Sequence, residues 1–494
     1  MKTTKIWNTW WGNDMQRRDF IQKLISTGAV AFGVSKTAIL HAQQAGAASP
    51  RPLPARGEFI IRDAYVMTMD RTAGDIAGGS VHVKNGVIAA VGKDLKAPGA
   101  AVIDGRRCIV LPGLVDTHWH MWTTYLRSMA GDKTEDGYFP VTTRYGKAME
   151  PIDMYRSTKL AAAEAINTGL TTVGNNCHNV RSHDHAVYDI RAVSETGVRC
   201  RWSYGPYRGM PPDKHIDMAD VEAMHRDWSK YSNDGLISLG FAWGGIPVGP
   251  AAAKSPENLD IARKEFETAR RLGIPMATHW ASRENTPAGD VEALAAGNFL
   301  GKDVLLIHML ATSPAEMKLV AAAGSPISVS PGSELRIGYG ATKACDFMDA
   351  GILVCVSLDT VPLTGSANFF GVLKLMRNAE NAKAFNEFKL TARRALEMGT
   401  IDGARALGLD SQIGSLVPGK RADVIMVRTD GLDMGVFTDP AHMLVEAAEE
   451  ADVDTVVVDG RILKRGGKLT SLDPEKVIAD AAASLTEVGK RLRT

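Results

Sequence analysis

The sequence predicts an α/β fold in which a (β/α)8 barrel carries a small β domain built from both ends of the chain. Apolar runs of strand length alternate with helical patterns across residues 113–415. Segments with a period of two residues flank this region at residues 57–112 and 416–470. A chain of 494 residues is also long enough to bury more than one core.

The barrel is predicted from the strand-like runs of the middle region. The clearest runs lie at residues 171–173, 237–241, 275–278, 304–307, 326–330 and 352–357. Helical patterns between them include residues 157–167, 257–272 and 314–323, the last with Ser313 as its N-cap. About eight such units favour a closed barrel. An open doubly wound sheet is the alternative, but its Gly-rich phosphate turn is absent from the sequence.

The β domain is predicted from alternation at both ends of the barrel region. Residues 81–91 have a hairpin pattern in which Asn85-Gly86 suits a type I′ turn. Residues 422–427 and 455–463 have the same strand character. The two ends are therefore expected to pair into one domain, followed by a C-terminal helix at residues 471–494.

The N-terminus is typical of an export signal. Arg17-Arg18 precedes a mildly apolar run at residues 24–40 and a small-residue cleavage zone at residues 41–45. The run is too short and too polar for a good membrane-spanning helix. We expect a twin-arginine signal at residues 1–45 and a linker at residues 46–56. This predicts contact with the Tat export machinery and a periplasmic location.

Composition narrows the class of partner. Lys plus Arg number 57 and Asp plus Glu number 56, so the net charge of +1 offers no basic surface for nucleic acid. The five cysteines have wide, irregular spacings that fit neither a disulfide framework nor a zinc knuckle. These features favour a small-molecule substrate, neutral or aromatic and planar.

The pair His118 and His120 follows an apolar run at residues 109–115. Residues i and i+2 of a strand point to the same side, so these two imidazoles can share one metal ion. The pair alone is weak evidence, because a chain with 12 histidines produces it by chance.

Three further polar residues strengthen the prediction of a metal site. His279, His308 and Asp359 each stand at the end of an apolar strand run. In a barrel the C-terminal ends of all strands meet on one face, where active sites lie. Imidazole and carboxylate ligands suit zinc or ferrous iron rather than calcium or magnesium. We expect one divalent metal ion, with zinc preferred and iron as the alternative.

Two motifs resemble the amidohydrolase superfamily: residues 111–120 its first-strand signature, and residues 414–424 its return from barrel to β domain. The resemblance runs from about residue 57 to residue 470, and residues 123–132 are most similar to the cytosine deaminase and triazine chlorohydrolase branch. It implies the barrel with its composite β-sandwich, and it favours a homodimer. It also implies a metal held by His118, His120, His279 and Asp359.

The resemblance assigns roles to two of these residues. His308 would polarise the substrate or hold the water, and Asp359 would shuttle protons. A metal ion lowers the pKa of a bound water to about 7, which supplies the nucleophile. The general physical argument agrees: Asp359 can act as the base, and His308 can hydrogen-bond the developing oxyanion.

Two departures from the family pattern narrow the function. Deaminases of this branch carry Glu three residues after the fifth-strand histidine, where this chain has Ser282. Glu284 is interpreted as an exposed loop acid. Residues 240–245 offer no bridging ligand for a second metal ion.

The sequence therefore predicts a metal-dependent amidohydrolase that cleaves a non-peptide C–N bond of a cyclic or aryl amide. A heterocycle aminohydrolase or chlorohydrolase is the first alternative. A non-catalytic exported binding protein on a decayed barrel is the second alternative.

Substrate contacts are predicted from aromatic residues near strand ends. Trp122, Tyr204 and Trp243 are expected to line the pocket together with His308, because their rings could stack on a flat substrate. A histidine cluster after the second strand, with no partner carboxylate pattern, is interpreted as loop residues: His178, His183 and His185.

Overall fold

The structure, a computed structural model, describes residues 52–211, 213–246, 256–285 and 289–493. The predicted signal at residues 1–45 and the first part of the predicted linker lie outside the described residues. Residues 52–57 have no regular secondary structure. Among the helices of the described ranges, none is both long enough and apolar enough to span a membrane.

The strands form two sheets. The first group is β1 (Glu58–Met67), β2 (Asp75–Lys84), β3 (Val87–Gly92), β4 (Ala101–Asp104) and β5 (Cys108–Pro112). The second group is β6 (Leu114–Trp119), β7 (Leu170–Cys177), β8 (Arg199–Tyr204), β9 (Ile237–Ala242), β10 (Met276–Trp280), β11 (Val304–His308), β12 (Ile327–Val329) and β13 (Val354–Val356). The third group is β14 (Val424–Arg428), β15 (Val453–Val458), β16 (Arg461–Arg465) and β17 (Lys468–Leu469).

The first and third groups make one nine-stranded sheet, as the alternating pattern at both chain ends predicts. Its order is β17-β16-β15-β14-β5-β1-β2-β3, with β4 paired to β1. β14 pairs antiparallel with β5, which joins the C-terminal strands to the N-terminal ones. At the β2–β3 turn, Asn85 and Gly86 both have positive φ, at 51° and 85°, as a type I′ turn requires.

The second group forms an eight-stranded parallel sheet in sequential order from β6 to β13. The first and last strands meet where Trp119 bridges Asp359. The Asp359 N–H donates to the His118 carbonyl at 2.9 Å, and the His120 N–H donates to the Asp359 carbonyl at 2.7 Å. These bonds bring the sheet to near closure, so the predicted (β/α)8 barrel with a separate β domain is confirmed.

The α-helices lie largely between successive barrel strands. They are α1 (Tyr138–Ala148), α2 (Pro151–Asn167), α3 (His183–Thr196), α4 (Met218–Arg226), α5 (Pro256–Arg271), α6 (Asp290–Ala296), α7 (Pro314–Ala323), α8 (Pro331–Ile337), α9 (Ala344–Asp349), α10 (Val361–Thr364), α11 (Phe369–Lys383), α12 (Ala392–Met398), α13 (Ile401–Ala406), α14 (Pro440–His442) and α15 (Pro474–Arg491). Ser313 caps α7 in a capping box with Glu316, as the sequence predicts. α2 begins six residues before the predicted 157–167 segment, because Glu150 caps it and Pro151 starts its first turn.

A buried ion pair joins the barrel to the β domain. Arg199 of β8 donates to both carboxylate oxygens of Asp423, at 2.8 and 3.0 Å. The Asp459 N–H donates to the same carboxylate at 2.8 Å. The Arg199 and Asp423 side chains are only 4% and 2% exposed. Removal of either charge would leave the other buried without its counterion, which is strongly unfavourable.

We therefore predict that Arg199→Leu lowers the free energy of unfolding by about 3–5 kcal/mol. Chemical denaturation followed by circular dichroism measures the change. Arg271→Leu is the matched control, because its ion pair with Glu222 is solvent-exposed. Equal stability of the two variants would contradict a structural role for the buried pair.

Candidate metal centre and substrate cavity

Four predicted ligands converge at the C-terminal ends of the barrel strands. One possible ligand atom from each lies within 4.8 Å of the others, in the group His118, His120, His279 and Asp359. The His118 Nε2 atom is 3.2 Å from Asp359 Oδ1 and 3.1 Å from His279 Nε2. The His120 Nε2 atom is 3.5 Å from the same carboxylate oxygen.

The backbone at the barrel seam sets this geometry. Asp359 stands just after β13 with a φ of 64°, a left-handed conformation unusual for a residue other than glycine. Its carboxylate thereby approaches the histidines of β6. Asp116 ties the same two segments together, because its Oδ1 atom accepts from the N–H groups of His118 and Leu358 at 3.2 and 3.1 Å.

The protonation states suit metal binding. Burial lowers the pKa values of His118, His120 and His279, which favours the neutral imidazoles that bind metal ions. The His120 Nδ1 atom donates to the Asn176 carbonyl at 3.1 Å, which directs Nε2 towards the other ligands. Burial acts to raise the pKa of Asp359, but its hydrogen bond with His118 and the positive charge favoured on His308 keep that pKa lowered.

The donor set fits a divalent ion. Three imidazole nitrogens and one carboxylate oxygen are typical zinc ligands. A second ion would need a bridging ligand, and β9 supplies none, since it and the next two residues read Ile237-Ser-Leu-Gly-Phe-Ala-Trp-Gly244. The predicted mononuclear divalent site is therefore consistent with the described residues.

His308 lies beside these ligands and is oriented by a carboxylate. It is 3% exposed, and its φ of 71° is left-handed. Its Nδ1 atom donates to Glu334 Oε1 at 3.0 Å, and the Ser330 N–H donates to the same oxygen at 2.8 Å. Burial acts to lower the pKa of His308, but Glu334 and Asp359 raise it overall. His308 is therefore suited to donate a hydrogen bond from Nε2.

The site opens into a cavity of about 480 Å³. Near the metal ligands its wall includes His178, Ser282, His308 and Tyr339. The wall also includes residues of α5 and of the segment after β8. The cavity is large enough for a small molecule of drug-like size.

Of the three aromatic residues predicted to contact substrate, one lines this cavity. Trp243 contributes to its wall, and its indole N–H donates to the Ala262 carbonyl at 3.0 Å. Trp122 is fully buried and packs near Gly146 of α1 instead. The Tyr204 hydroxyl donates to Asp220 at 3.0 Å. The structure thus corrects the predictions for Trp122 and Tyr204, whose side chains turn into the surrounding packing.

Ser282 and Glu284, on which the prediction against deamination depends, have different environments. Ser282 lines the cavity. Glu284 is exposed, its N–H donates to the Tyr339 carbonyl at 2.8 Å, and its side chain lies against Gly340. The interpretation of Glu284 as a loop acid outside the site agrees with this placement.

His178 is the main residue that sequence reasoning misjudged. Its ring centroid lies 4.9 Å from that of His120 and 5.2 Å from that of His279, and it lines the cavity. His183 and His185 lie away from the metal ligands, as interpreted, but they belong to the first turn of α3 rather than to a loop. They form hydrogen bonds with Asp220 and Ser182, respectively. His178 directly follows β7, so the strand-end rule that identified His279 would have found it.

The fold and the ligand set define a metal-dependent hydrolase built on a (β/α)8 barrel. The model of the amidohydrolase family matches residues 109–463, which is more than half of the chain. The chain belongs to the amidohydrolase family. The predicted enzyme class, a hydrolase acting on C–N bonds other than peptide bonds, is confirmed by this membership.

Known proteins similar to this chain include two deaminases. The 5'-deoxyadenosine deaminase of Methanosarcina acetivorans is 28% identical over 448 residues, 88% of this chain and 99% of the relative. The 5-methylthioadenosine/S-adenosylhomocysteine deaminase of Acetivibrio thermocellus is 27% identical over 447 residues, with coverage of 88% and 99%.

Solved structures with the same fold include a deaminase and a chlorohydrolase. An adenosine deaminase from Xanthomonas campestris with bound zinc has a TM-score of 0.75 at 21% identity, covering 88% of this chain and all of that one. A mutant atrazine chlorohydrolase from Arthrobacter aurescens, complexed with zinc and atraton, has a TM-score of 0.74 at 24% identity, covering 86% and 100%.

We predict that the purified chain binds one equivalent of zinc and that His118→Ala lowers the zinc content, because the variant lacks the imidazole that contacts both His279 and Asp359 in the ligand group. Elemental analysis after dialysis measures the content. His183→Ala is the control, because His183 is exposed and bonds to Asp220. Full zinc content in His118→Ala, or two ions in the wild type, would contradict the proposed ligand set.

Proposed function

We propose that this hydrolase cleaves a non-peptide C–N bond of a cyclic or aryl amide. The observation that carries this proposal is Ser282, which lines the cavity where deaminases of this branch carry Glu. Among the described residues, the only carboxylates of the cavity wall are Asp359 and Glu265. Neither stands at the position of that Glu.

The distinction matters because the two reactions need different proton transfers. Deamination of a heterocycle needs a proton on the ring nitrogen as water adds to the ring carbon, and the Glu of the branch supplies it. Amide hydrolysis needs a proton on the leaving nitrogen, and one base that recycles its proton can deliver it. Asp359 alone is sufficient for the second scheme.

The chain's own residues support each step of amide hydrolysis. A metal ion held by His118, His120, His279 and Asp359 would supply a Lewis acid and a water of lowered pKa. Asp359 would accept a proton from the attacking water as the water oxygen bonds to the carbonyl carbon. His308 donates a hydrogen bond to the carbonyl oxygen as negative charge develops there. Asp359 then passes its proton to the nitrogen as the C–N bond breaks.

Zinc is the ion that we propose for the site. The ligand set of three histidines and one aspartate fits it. The similar adenosine deaminase and atrazine chlorohydrolase structures also hold zinc. Ferrous iron would use the same ligands and is the alternative.

A second candidate is deamination of an adenine nucleoside. It is favoured by the relatives, which include 5'-deoxyadenosine and methylthioadenosine deaminases matched over 88% of this chain. The similar chlorohydrolase structure adds chloride release from a triazine as a further form of the same alternative. Either reaction would need a proton donor other than residue 282, because Ser282 cannot replace the Glu that protonates the ring nitrogen.

A substrate panel tests these candidates. We expect zinc-loaded protein to release amine from acetanilide or ring-open hydantoin, with no ammonia from 5'-deoxyadenosine and no chloride from atrazine. His308→Ala should lower kcat about 100- to 1000-fold because one oxyanion donor is lost. Its zinc content should not change. Chromatography of products and elemental analysis give both readouts.

Two outcomes of the panel would overturn the proposal. Ammonia from the nucleoside, or chloride from the triazine, without amide cleavage would assign the second candidate. Ligand binding without turnover of any compound by fully zinc-loaded protein would favour the non-catalytic binding protein.

We also propose export through the twin-arginine machinery to the periplasm, and a homodimeric assembly. Arg17-Arg18, the apolar run at residues 24–40 and the small-residue zone after it support export. Cell fractionation should find a shortened chain in the periplasm, and Arg17→Lys/Arg18→Lys should hold the full-length chain in the cytosol. Full-length wild-type chain in the cytosol would contradict export.

A further inference from the structure

One face of α5, a helix that carries none of the metal ligands, lines the cavity. Four residues of this helix line the cavity at positions i, i+3, i+4 and i+7: Asn258, Ile261, Ala262 and Glu265. Ile216, after β8, lines the cavity too, and its N–H donates to Glu265 Oε1 at 2.8 Å. The cavity therefore continues from the metal ligands to a second, mostly apolar wall that contains one acid.

Glu265 is unusual in this wall because its charge has no counterion. The residue is 6% exposed. Within the described ranges, the Ile216 N–H is its only hydrogen-bond donor, and no Lys, Arg or His forms an ion pair with it. The Oε2 atom has no hydrogen-bond donor among the described residues and is therefore available to a ligand in the cavity. Burial raises the pKa of Glu265 to about 7.

A purely structural role does not require this side chain. One backbone N–H could be satisfied by an amide, a hydroxyl or water without burying a charge. The matching partner for a desolvated carboxylate is a cationic donor, because charge-assisted hydrogen bonds are shorter and stronger than neutral ones. Arg208 and Lys214 also line the cavity, but neither forms an ion pair with Glu265, and no other cation does so among the described residues. A cationic group of the ligand would therefore be the first charged partner of this carboxylate.

We propose that Glu265 determines substrate specificity by binding a primary amino group at the end of the substrate away from the bond that is hydrolysed. This inference rests on the proposed function only in that the substrate occupies this cavity. It names the substrate class as an amide, or heterocycle, that carries a remote amine. The scissile group meets Asp359 and His308, while the amine reaches the face of α5.

Two matched series of compounds test the inference. The amide series is 4-(aminomethyl)-, 4-(hydroxymethyl)- and 4-methylacetanilide. The nucleoside series is 5'-amino-5'-deoxyadenosine, adenosine and 5'-deoxyadenosine. Within each series only the remote substituent changes, from amine to hydroxyl to hydrogen. The preference within each series is measured with zinc-loaded protein. It is the ratio of kcat/KM values where the compounds are turned over, and the ratio of dissociation constants from calorimetry where they are not.

We expect the wild type to prefer the amine over its hydrogen match by about 10- to 100-fold in at least one series, the scale of a hydrogen bond to a charged group. Glu265→Gln and Glu265→Leu should abolish the preference without changing zinc content. Glu267→Gln, an exposed acid on the same helix, is the matched control and should keep it.

Calorimetry supplies a second readout that a structural role would not move. An ammonium group that binds Glu265 stabilises the carboxylate, so at pH 7 the wild type should release a fraction of a proton. Binding heats in phosphate and Tris buffers should therefore differ for the amine. They should agree for the same amine with Glu265→Gln.

The contradicting results are distinct from failure of the proposed function. Equal affinity across both series, no binding in either, preference for the hydroxyl, or an amine preference that survives in both Glu265 variants would overturn the inference. Turnover of only the nucleoside series with the amine preference intact would overturn amide hydrolysis but not the role of Glu265. Amide turnover without an amine preference would support amide hydrolysis and overturn the role of Glu265.

Discussion

The site depends on the backbone pairing that brings the first and last barrel strands together. Asp359 donates to the His118 carbonyl and accepts from the His120 N–H, at 2.9 and 2.7 Å. The same contact brings the Asp359 carboxylate to 3.2 Å from the His118 imidazole. Asp116 reinforces the seam through the N–H groups of His118 and Leu358. Barrel closure and ligand assembly are therefore one event, and a chain that failed to close would also lose its metal site.

Burial then gives the assembled residues their chemistry. Desolvation favours neutral imidazoles at His120 and His279, while the surrounding histidines favour an ionised Asp359. Glu334 acts oppositely on His308 and favours its protonated form. One side of the cavity thus presents metal ligands and a base, and the adjoining position presents a hydrogen-bond donor. This separation of roles is what amide hydrolysis needs from a single-metal site.

The sequence predicted the barrel and its ligands because strand ends in a parallel barrel share one face. That rule located His279, His308 and Asp359 without knowledge of tertiary contacts. It could not tell which way a large aromatic side chain turns, so Trp122 was placed in the cavity although it packs in the core. The rule also could not identify Glu265, because this residue lies on a helix and reaches the cavity only through the packing of α5 against Ile216. Residues on helices and loops need the packed structure, because their neighbours come from distant parts of the chain.

The most direct test of the central claim is the metal coordination measured by X-ray absorption on zinc-loaded protein. The account predicts a single zinc with nitrogen ligands at about 2.0–2.1 Å from three imidazoles, together with oxygen from Asp359. In Asp359→Asn the imidazole contribution should persist if any zinc remains bound. A zinc shell without imidazole scattering, or a second metal at about 3.5–4 Å, would contradict the single-metal site at the barrel seam.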